Sequence, residues 1–161
     1  MIMKKAVFPG SFDPFTLGHL DVLRSSLKLF DQVIIAVGYN LQKSGYFTVE
    51  ERMEIIAKSV EGIDNVKIDS YQGLTVEYCR RVGAEFIVRG LRTTTDFELE
   101  KVIAQANSKM APGIITVFIP SEHEYSFITS TVVRDVLING GDASAFMAEG
   151  VKIGNRREIK E

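Results

Sequence analysis

The chain has 161 residues, 45% of them apolar and 25% charged, enough for one domain with its own core and too few for two ordinary ones. Its formal net charge of −2 argues against a general binder of nucleic acid or of anionic membranes, but leaves room for a small anionic substrate held by local cations. The one cysteine, Cys79, excludes an intrachain disulfide and a multi-cysteine metal site, and no run is long enough for a signal peptide or a membrane span, so a cytoplasmic protein is expected.

Strand and helix patterns alternate along the chain. Lys5 to Phe8 reads as a first short strand, stopped by Pro9-Gly10. Leu17 to Phe30 has apolar residues at helical spacing, at Leu20, Leu23, Leu27 and Phe30. Gln32 to Val37 is a continuous apolar run, as in a strand covered on both faces. Thr48-Val-Glu-Glu51 fits a capping box opening a helix to about Val60. Val66 to Ile68 reads as a third strand, Thr75 to Val82 as a short helix, and Glu85 to Val88 as a fourth strand. Thr95-Asp-Phe-Glu98 is a second capping-box pattern, for a helix to about Met110. Ile114 to Ile119 completes the strands. Ser130 to Ile138 is helical and ends at Asn139-Gly140-Gly141, and Asp142 is expected to cap one more short helix. This alternation implies a single α/β domain over 1–161, doubly wound and Rossmann-like. A five-stranded parallel sheet would carry helices on both faces, with a polar tail from about residue 151. Ligands of such sheets bind beyond the carboxyl ends of the strands, where strand order reverses.

The loops after the strands are therefore the places to search. The first reads Pro9-Gly-Ser-Phe-Asp-Pro-Phe-Thr-Leu-Gly-His19, which is neither a dinucleotide fingerprint nor a P-loop. Thr16 stands where an N-cap should be, which puts Gly18 and His19 in the first helical turn. An anion is stabilised there by free amides and the helix dipole. Gly18 leaves room for a phosphate to approach the backbone, and His19 can donate to an oxygen that gains charge. Lys43 is a cation in the loop after the second strand. Arg89-Gly90-Leu91-Arg92 follows the fourth strand; Arg89 leaves a buried run and needs an anion, either a phosphate or a carboxylate such as Asp96. After the fifth strand, Thr129, Ser130 and Thr131 cluster hydroxyls at a helix start, a second phosphate cradle.

The string Thr16-Leu-Gly-His19 resembles the T/H-x-G-H signature of the nucleotidyltransferase superfamily. Pro9-Gly-Ser-Phe-Asp-Pro14 before it resembles bacterial phosphopantetheine adenylyltransferases. Arg89-Gly-Leu-Arg92 with Asp96-Phe-Glu-Leu-Glu100, and Tyr125-Ser-Phe-Ile-Thr-Ser-Thr131, are similar to further blocks of that family, with Tyr125 in place of a common tryptophan and Thr129 in place of a serine. The resemblance runs from about Lys5 to Phe146.

It implies transfer of AMP from ATP to 4′-phosphopantetheine, giving dephospho-coenzyme A and pyrophosphate. The acceptor phosphate attacks the α-phosphorus without a protein nucleophile, so positioning and charge stabilisation carry the catalysis. By resemblance, His19, Lys43 and Arg92 are catalytic. Ser11, Lys43, Thr75 and Arg89 hold the acceptor. Ser11, Phe12, Gly18, His19, Gly90, Leu91, Arg92, Glu100, Tyr125, Ser126, Phe127, Ile128, Thr129, Ser130 and Thr131 hold ATP. Mg²⁺ is expected to arrive with ATP, since no dedicated carboxylate cage is visible. A homohexamer and feedback by coenzyme A are further implications of the resemblance, and no nucleic-acid or membrane partner is expected. Gly45 and the weak pattern from Lys43 to Phe47 suggest a mobile loop, and the sequence does not say whether it closes over substrate. The alternatives are a relative acting on another acceptor, such as nicotinamide mononucleotide, and a silent nucleotide sensor. Thr16, where the former usually has histidine, and the retained His19, Lys43 and arginines weigh against them.

Overall fold

A computed structural model describes residues 2–154. Five parallel strands, β1 (Lys5–Gly10), β2 (Gln32–Gly38), β3 (Val66–Tyr71), β4 (Phe86–Leu91) and β5 (Ile115–Pro120), form one sheet in the order β3-β2-β1-β4-β5. Five α-helices accompany them: α1 (Leu17–Ser26), α2 (Val49–Ser59), α3 (Thr75–Val82), α4 (Thr94–Met110) and α5 (Ser130–Ile138). Alternate residues of the central strands feed two cores. Ala6, Phe8, Val33, Ile35 and Val37 pack with Leu20 and Leu23 of α1, Ile56 of α2 and Val133 of α5. Val7, Ile34 and Ala36 pack with Val76 and Cys79 of α3. Both faces of β1 and β2 are thus covered, which is why their sequences read as unbroken apolar runs.

The sheet places the site. β1 pairs with β2 along its whole length, Lys5↔Gln32 to Gly10↔Val37. Against β4 it pairs only at Ala6↔Phe86 and Val7↔Ile87. Beyond Val7 the two strands part and leave a crevice at their carboxyl ends, the point where strand order reverses. Pro9 is tolerated inside a central strand because it lies past the last β1–β4 pair.

Several boundaries differ from the sequence reading. β1 runs on through Pro9 and Gly10, and β3 runs on to Tyr71. β4 continues to Leu91, so Arg89, Gly90 and Leu91 are strand residues rather than a loop; pairing with β5 continues to Leu91↔Pro120. α1 stops at Ser26, whose hydroxyl donates back to the Val22 carbonyl at 2.7 Å, and Phe30 is buried from a turn beyond the helix. The cap of α4 is Thr93, not Thr95: its hydroxyl accepts the Asp96 amide at 3.1 Å. The capping box at Thr48 is present, with Glu51 N to Thr48 Oγ1 at 3.1 Å and Thr48 N to Glu51 Oε2 at 2.7 Å. Asp142 accepts the Ser144 amide at 2.9 Å, one residue before the cap of a 3-10 turn at Ser144–Phe146. An unforeseen 3-10 turn, His123–Tyr125, precedes α5. Of the expected polar tail, Val151 is buried and Ile153 packs on the core, while 155–161 lie outside the described residues.

Candidate functional site

The crevice between β1 and β4 encloses a cavity of about 310 Å³. Its wall comes from the turn after β1, the first turn of α1, the end of β4 and the start of α5, and three arginines face it: Arg89, Arg92 and Arg134. A polar wall with three guanidinium groups suits a polyanion.

His19 is the most constrained polar side chain there. Its Nδ1 accepts the Thr16 amide at 3.0 Å, closing the N-terminus of α1 with its own ring. A nitrogen that accepts an N–H carries no proton, so in the neutral ring Nε2 holds the hydrogen and is left as a donor. The ring packs among Phe8, Phe12 and Phe15, at centroid distances of 6.3, 5.0 and 5.3 Å. Burial in this cage, together with the positive fields of Arg89 and Arg92, lowers its pKa from 6.5 to about 3. His19 is therefore a neutral donor across ordinary pH. Phe12 helps build the cage from a left-handed backbone (φ 46°), a conformation a bulky residue adopts only when packing holds it there; the side chain is 2% exposed.

Gly18 has a reason beyond phosphate approach. A Cβ there would sit 3.2 Å from the Ile128 carbonyl oxygen and 3.6 Å from that of Tyr125. The missing side chain lets α1 lie against the segment before α5, which brings two helix starts together. The amides of Leu17 and Gly18 at one start, and of Ser130 and Thr131 at the other, have no protein partner among the described residues.

Two of the three arginines, Arg89 and Arg92, are held by carboxylates. Arg89 donates Nε to Glu100 Oε2 at 2.9 Å and Nη2 to Glu100 Oε1 at 2.7 Å, while Nη1 donates to the Pro9 carbonyl at 2.6 Å. The second hydrogens of Nη1 and Nη2 remain for a ligand. Glu100, expected to touch nucleotide, lines the cavity and turns its carboxylate to Arg89. Arg92 donates Nε to Asp96 Oδ2 at 3.2 Å, and its amide donates to the same oxygen at 3.1 Å. Arg89 thus has a carboxylate partner, Glu100 rather than Asp96, and keeps hydrogens for an anion.

At the start of α5, Thr129 uses its hydroxyl to cap the Val132 amide at 3.0 Å, and Ser130 donates its hydroxyl hydrogen to the Pro14 carbonyl at 2.8 Å. Thr129, Ser130, Thr131 and Ile128 line the cavity; Tyr125, Ser126, Phe127 and Leu91 do not. Ser126 bonds back to the His123 carbonyl at 3.0 Å, and Phe127 is exposed with its ring against Phe146.

A second cavity of about 300 Å³ adjoins the first. The two share Pro9, Gly10, Ser11, Arg89 and Glu100 as a common wall. Thr75 lines the second, its hydroxyl 2.8 Å from that of Tyr71. Lys43 lines neither. It is exposed on a strap between Tyr39 and Tyr46, over a separate opening of about 540 Å³. The strap is less free than Gly45 suggested, because Asp13 Oδ2 accepts the Tyr46 amide and Asp13 Oδ1 the Phe47 amide, both at 2.8 Å.

Two functional candidates were not among the expected site residues. Arg134 faces the first cavity and donates Nη1 to the Asp13 carbonyl at 2.8 Å. Its signal was in the sequence: Arg134 ends the string Ile128-Thr-Ser-Thr-Val-Val-Arg134, which is similar to the I-S-S-T-x-x-R form of the superfamily. Arg52 is buried in the clamp at Asp13, which nothing in its helix pattern announced.

Comparison with known proteins bears on this arrangement. Residues 7–136 match the cytidylyltransferase-like family. A phosphopantetheine adenylyltransferase of Flavobacterium psychrophilum is 46% identical over 94% of this chain and 99% of its own. One of Leptospira biflexa is 50% identical over 84% of each chain. A bifunctional NMN adenylyltransferase/ADP ribose pyrophosphatase of Francisella tularensis shares the fold, with a TM-score of 0.68 at 18% identity over 93% of this chain and 46% of that one.

Proposed function

The chain belongs to the phosphopantetheine adenylyltransferase family, within the cytidylyltransferase-like group, and from that premise we propose how its two joined cavities divide the work. The reaction is transfer of AMP from ATP to 4′-phosphopantetheine, giving dephospho-coenzyme A and pyrophosphate. One observation carries the assignment of the cavities: they meet at a wall that holds Arg89 and Ser11. Two anions entering from either side would meet at that wall.

The first cavity takes ATP. The helix starts at Gly18 and at Ser130-Thr131, with Arg92 and Arg134, hold the phosphates. The Nε2–H of His19 donates to the α-phosphate oxygens as they gain charge, and its low pKa keeps it a donor rather than a proton source. The second cavity takes the acceptor, with Thr75 and Ser11 along its wall and the two spare hydrogens of Arg89 on the acceptor phosphate. Lys43, from its strap, meets the phosphates at the junction. The acceptor phosphate is already ionised at neutral pH, so no general base is assigned. Mg²⁺ would come with ATP and would offset charge on its phosphates. The cavity's acidic groups, Asp96 and Glu100, are each already paired with an arginine, which fits a substrate-borne ion.

Self-association is supported by α4, which has no buried residue and exposes Leu99, Val102 and Ile103, and the family resemblance makes the assembly a homohexamer. Sedimentation tests it: a monomer at micromolar concentration removes it. Coenzyme A joins an adenylate and a pantetheine arm in one molecule, which supports feedback binding across both cavities. Both substrates are water-soluble anions, which supports a cytoplasmic setting, and no helix among the described residues is long and apolar enough to cross a membrane.

The function is tested by following pyrophosphate release from Mg·ATP with 4′-phosphopantetheine, with nicotinamide mononucleotide and with no acceptor. Release with phosphopantetheine alone is expected. Release with the other acceptor overturns the acceptor assignment, and ATP binding without release in any arm overturns the catalytic reading.

A further inference from the structure

Asp13 and Arg52 form a polar clamp beside the crevice, and both are buried, at 7% and 6% exposure. Asp13 Oδ2 accepts the Tyr46 amide and Oδ1 the Phe47 amide, each at 2.8 Å. Arg52 Nε stands 3.5 Å from Asp13 Oδ1 and donates to the Phe47 carbonyl at 3.0 Å. Its Nη1 donates to the Ser11 carbonyl at 3.2 Å. One ion pair thus ties together the turn after β1, the end of the strap and α2.

The clamp reaches the nucleotide side as well. The backbone carbonyl of Asp13 accepts Nη1 of Arg134 at 2.8 Å, and Arg134 faces the first cavity. Ser11, held by Arg52, lies on the wall common to both cavities. Asp13 therefore holds an ATP-side arginine through its backbone and the Lys43 strap through its side chain. At its other end the strap is held by the Tyr39 amide on the Tyr71 carbonyl at 3.1 Å. Lys43 lies between these two attachments, two residues before Gly45. Gly45 is pressed on the pair itself: a Cβ there would run into Arg52 Nη2 and lie 2.8 Å from Asp13 Oδ2.

A buried ion pair adds little stability over an apolar pair of the same volume, because desolvation offsets the attraction. What it supplies is a fixed geometry, and a fixed geometry is what a positioning-dominated transfer needs. We propose that Asp13 and Arg52 are positioning residues of the transfer reaction, holding the strap that carries Lys43 in register with the nucleotide side of the crevice. The inference rests on the role given to Lys43 above.

The test is a set of double-mutant cycles in the full chain. Asp13→Asn and Gly45→Ala are each made alone and together with Lys43→Ala, and kcat and both KM values are measured beside circular dichroism. Asp13→Asn removes the charge but keeps the backbone carbonyl that Arg134 uses. Gly45→Ala keeps both charges and displaces the Arg52 fork, so it carries the test if Asp13→Asn does not fold. A misplacement of about 1 Å can cost about 10²-fold in rate. Each single clamp variant is expected to lower kcat by about that factor, with ATP KM within about twofold. In the Lys43→Ala background the same changes should cost under about twofold more, because the residue they position is gone. A full additive loss in that background overturns the proposal while leaving Lys43 as a working residue, and so does unchanged kcat in folded clamp variants. If Lys43→Ala alone keeps full turnover, the Lys43 role fails and the clamp proposal fails with it.

Discussion

Arg89 and Glu100 meet through two hydrogen bonds of 2.9 and 2.7 Å on the wall shared by the two cavities. The pair is eleven residues apart in sequence, β4 carrying the arginine and α4 the glutamate. The carboxylate takes the side of the guanidinium fork and leaves the outer hydrogens for a ligand. A guanidinium held in this way is orientated before substrate arrives, which lowers the entropy cost of binding a phosphate.

Glu100→Gln tests that arrangement. The variant keeps the size of the side chain and loses the charge that fixes the fork. Hydrogen bonds to charged groups contribute about 1.5–3 kcal/mol. The KM for 4′-phosphopantetheine should therefore rise about 10- to 100-fold while that for ATP moves less than about twofold. Initial rates with each substrate varied in turn give both numbers. A rise confined to ATP would return Glu100 to the nucleotide side.

His19 gives a prediction in pH. Folded, it protonates near pH 3; unfolded, near 6.5. Between those values the unfolded chain binds the extra proton, so this residue's contribution lowers stability as pH falls from about 6.5 toward 3, by at most about 1.4 kcal/mol per pH unit. His19→Asn should flatten that slope. Urea unfolding at pH 7 and pH 5 on both proteins measures it, and parallel slopes would mean that the folded histidine titrates normally. The same neutrality predicts no His19 inflection in kcat between about pH 5 and 8, although His19→Ala should lower kcat about 10²–10³-fold.

Gly90 is a packing glycine. A Cβ built on it would lie 2.8 Å from Val22 Cγ2 of α1. Overpacking of this kind costs about 1–3 kcal/mol, so Gly90→Ala should be destabilised by that amount. Val22→Ala in the same chain should recover most of the loss in denaturant titrations. If the double variant shows no recovery, the contact between β4 and α1 is not the source of the cost.

The alternation of strands and helices was legible because the apolar runs of β1 and β2 are covered on both faces, and so were local caps such as Thr48 with Glu51. So were the cavity residues of the first loop and of the α5 start, since a glycine or a hydroxyl at a helix start has a local reason to be there. What stayed hidden depends on distant parts of the chain. The end of β4 looked like a loop because it carries an arginine; the strand continues there because β5 pairs with it while the β1 side opens on the crevice. The resemblance gave Glu100 to the nucleotide, and its pairing with Arg89 is not visible until the fold brings β4 beside α4. The reason for Arg52 lies in Asp13 and in the absence of a side chain at Gly45, neither of which a helix pattern can show.

Arg134 is the residue where the last motif and the cavity wall coincide. It lies one turn beyond Ser130 on α5 and faces the first cavity beside Thr131, to whose hydroxyl its Nη2 donates at 3.2 Å. Its Nη1 is fixed on the Asp13 carbonyl at 2.8 Å, and the remaining hydrogens of both nitrogens are open to a ligand. The cavity it faces is the one assigned to ATP, so Arg134→Ala should raise the ATP KM while leaving the acceptor KM within about twofold. Losing a charge-assisted contact to a phosphate costs about 1.5–3 kcal/mol, or about 10- to 100-fold in that constant. Arg134→Lys keeps the charge but gathers its donors on one nitrogen in place of the planar fork whose Nη1 and Nη2 reach Asp13 and Thr131 separately, so it should recover only part of the loss. Full recovery by lysine would show that charge alone matters there. An effect on the acceptor KM equal to that on ATP would place Arg134 at the junction of the two cavities.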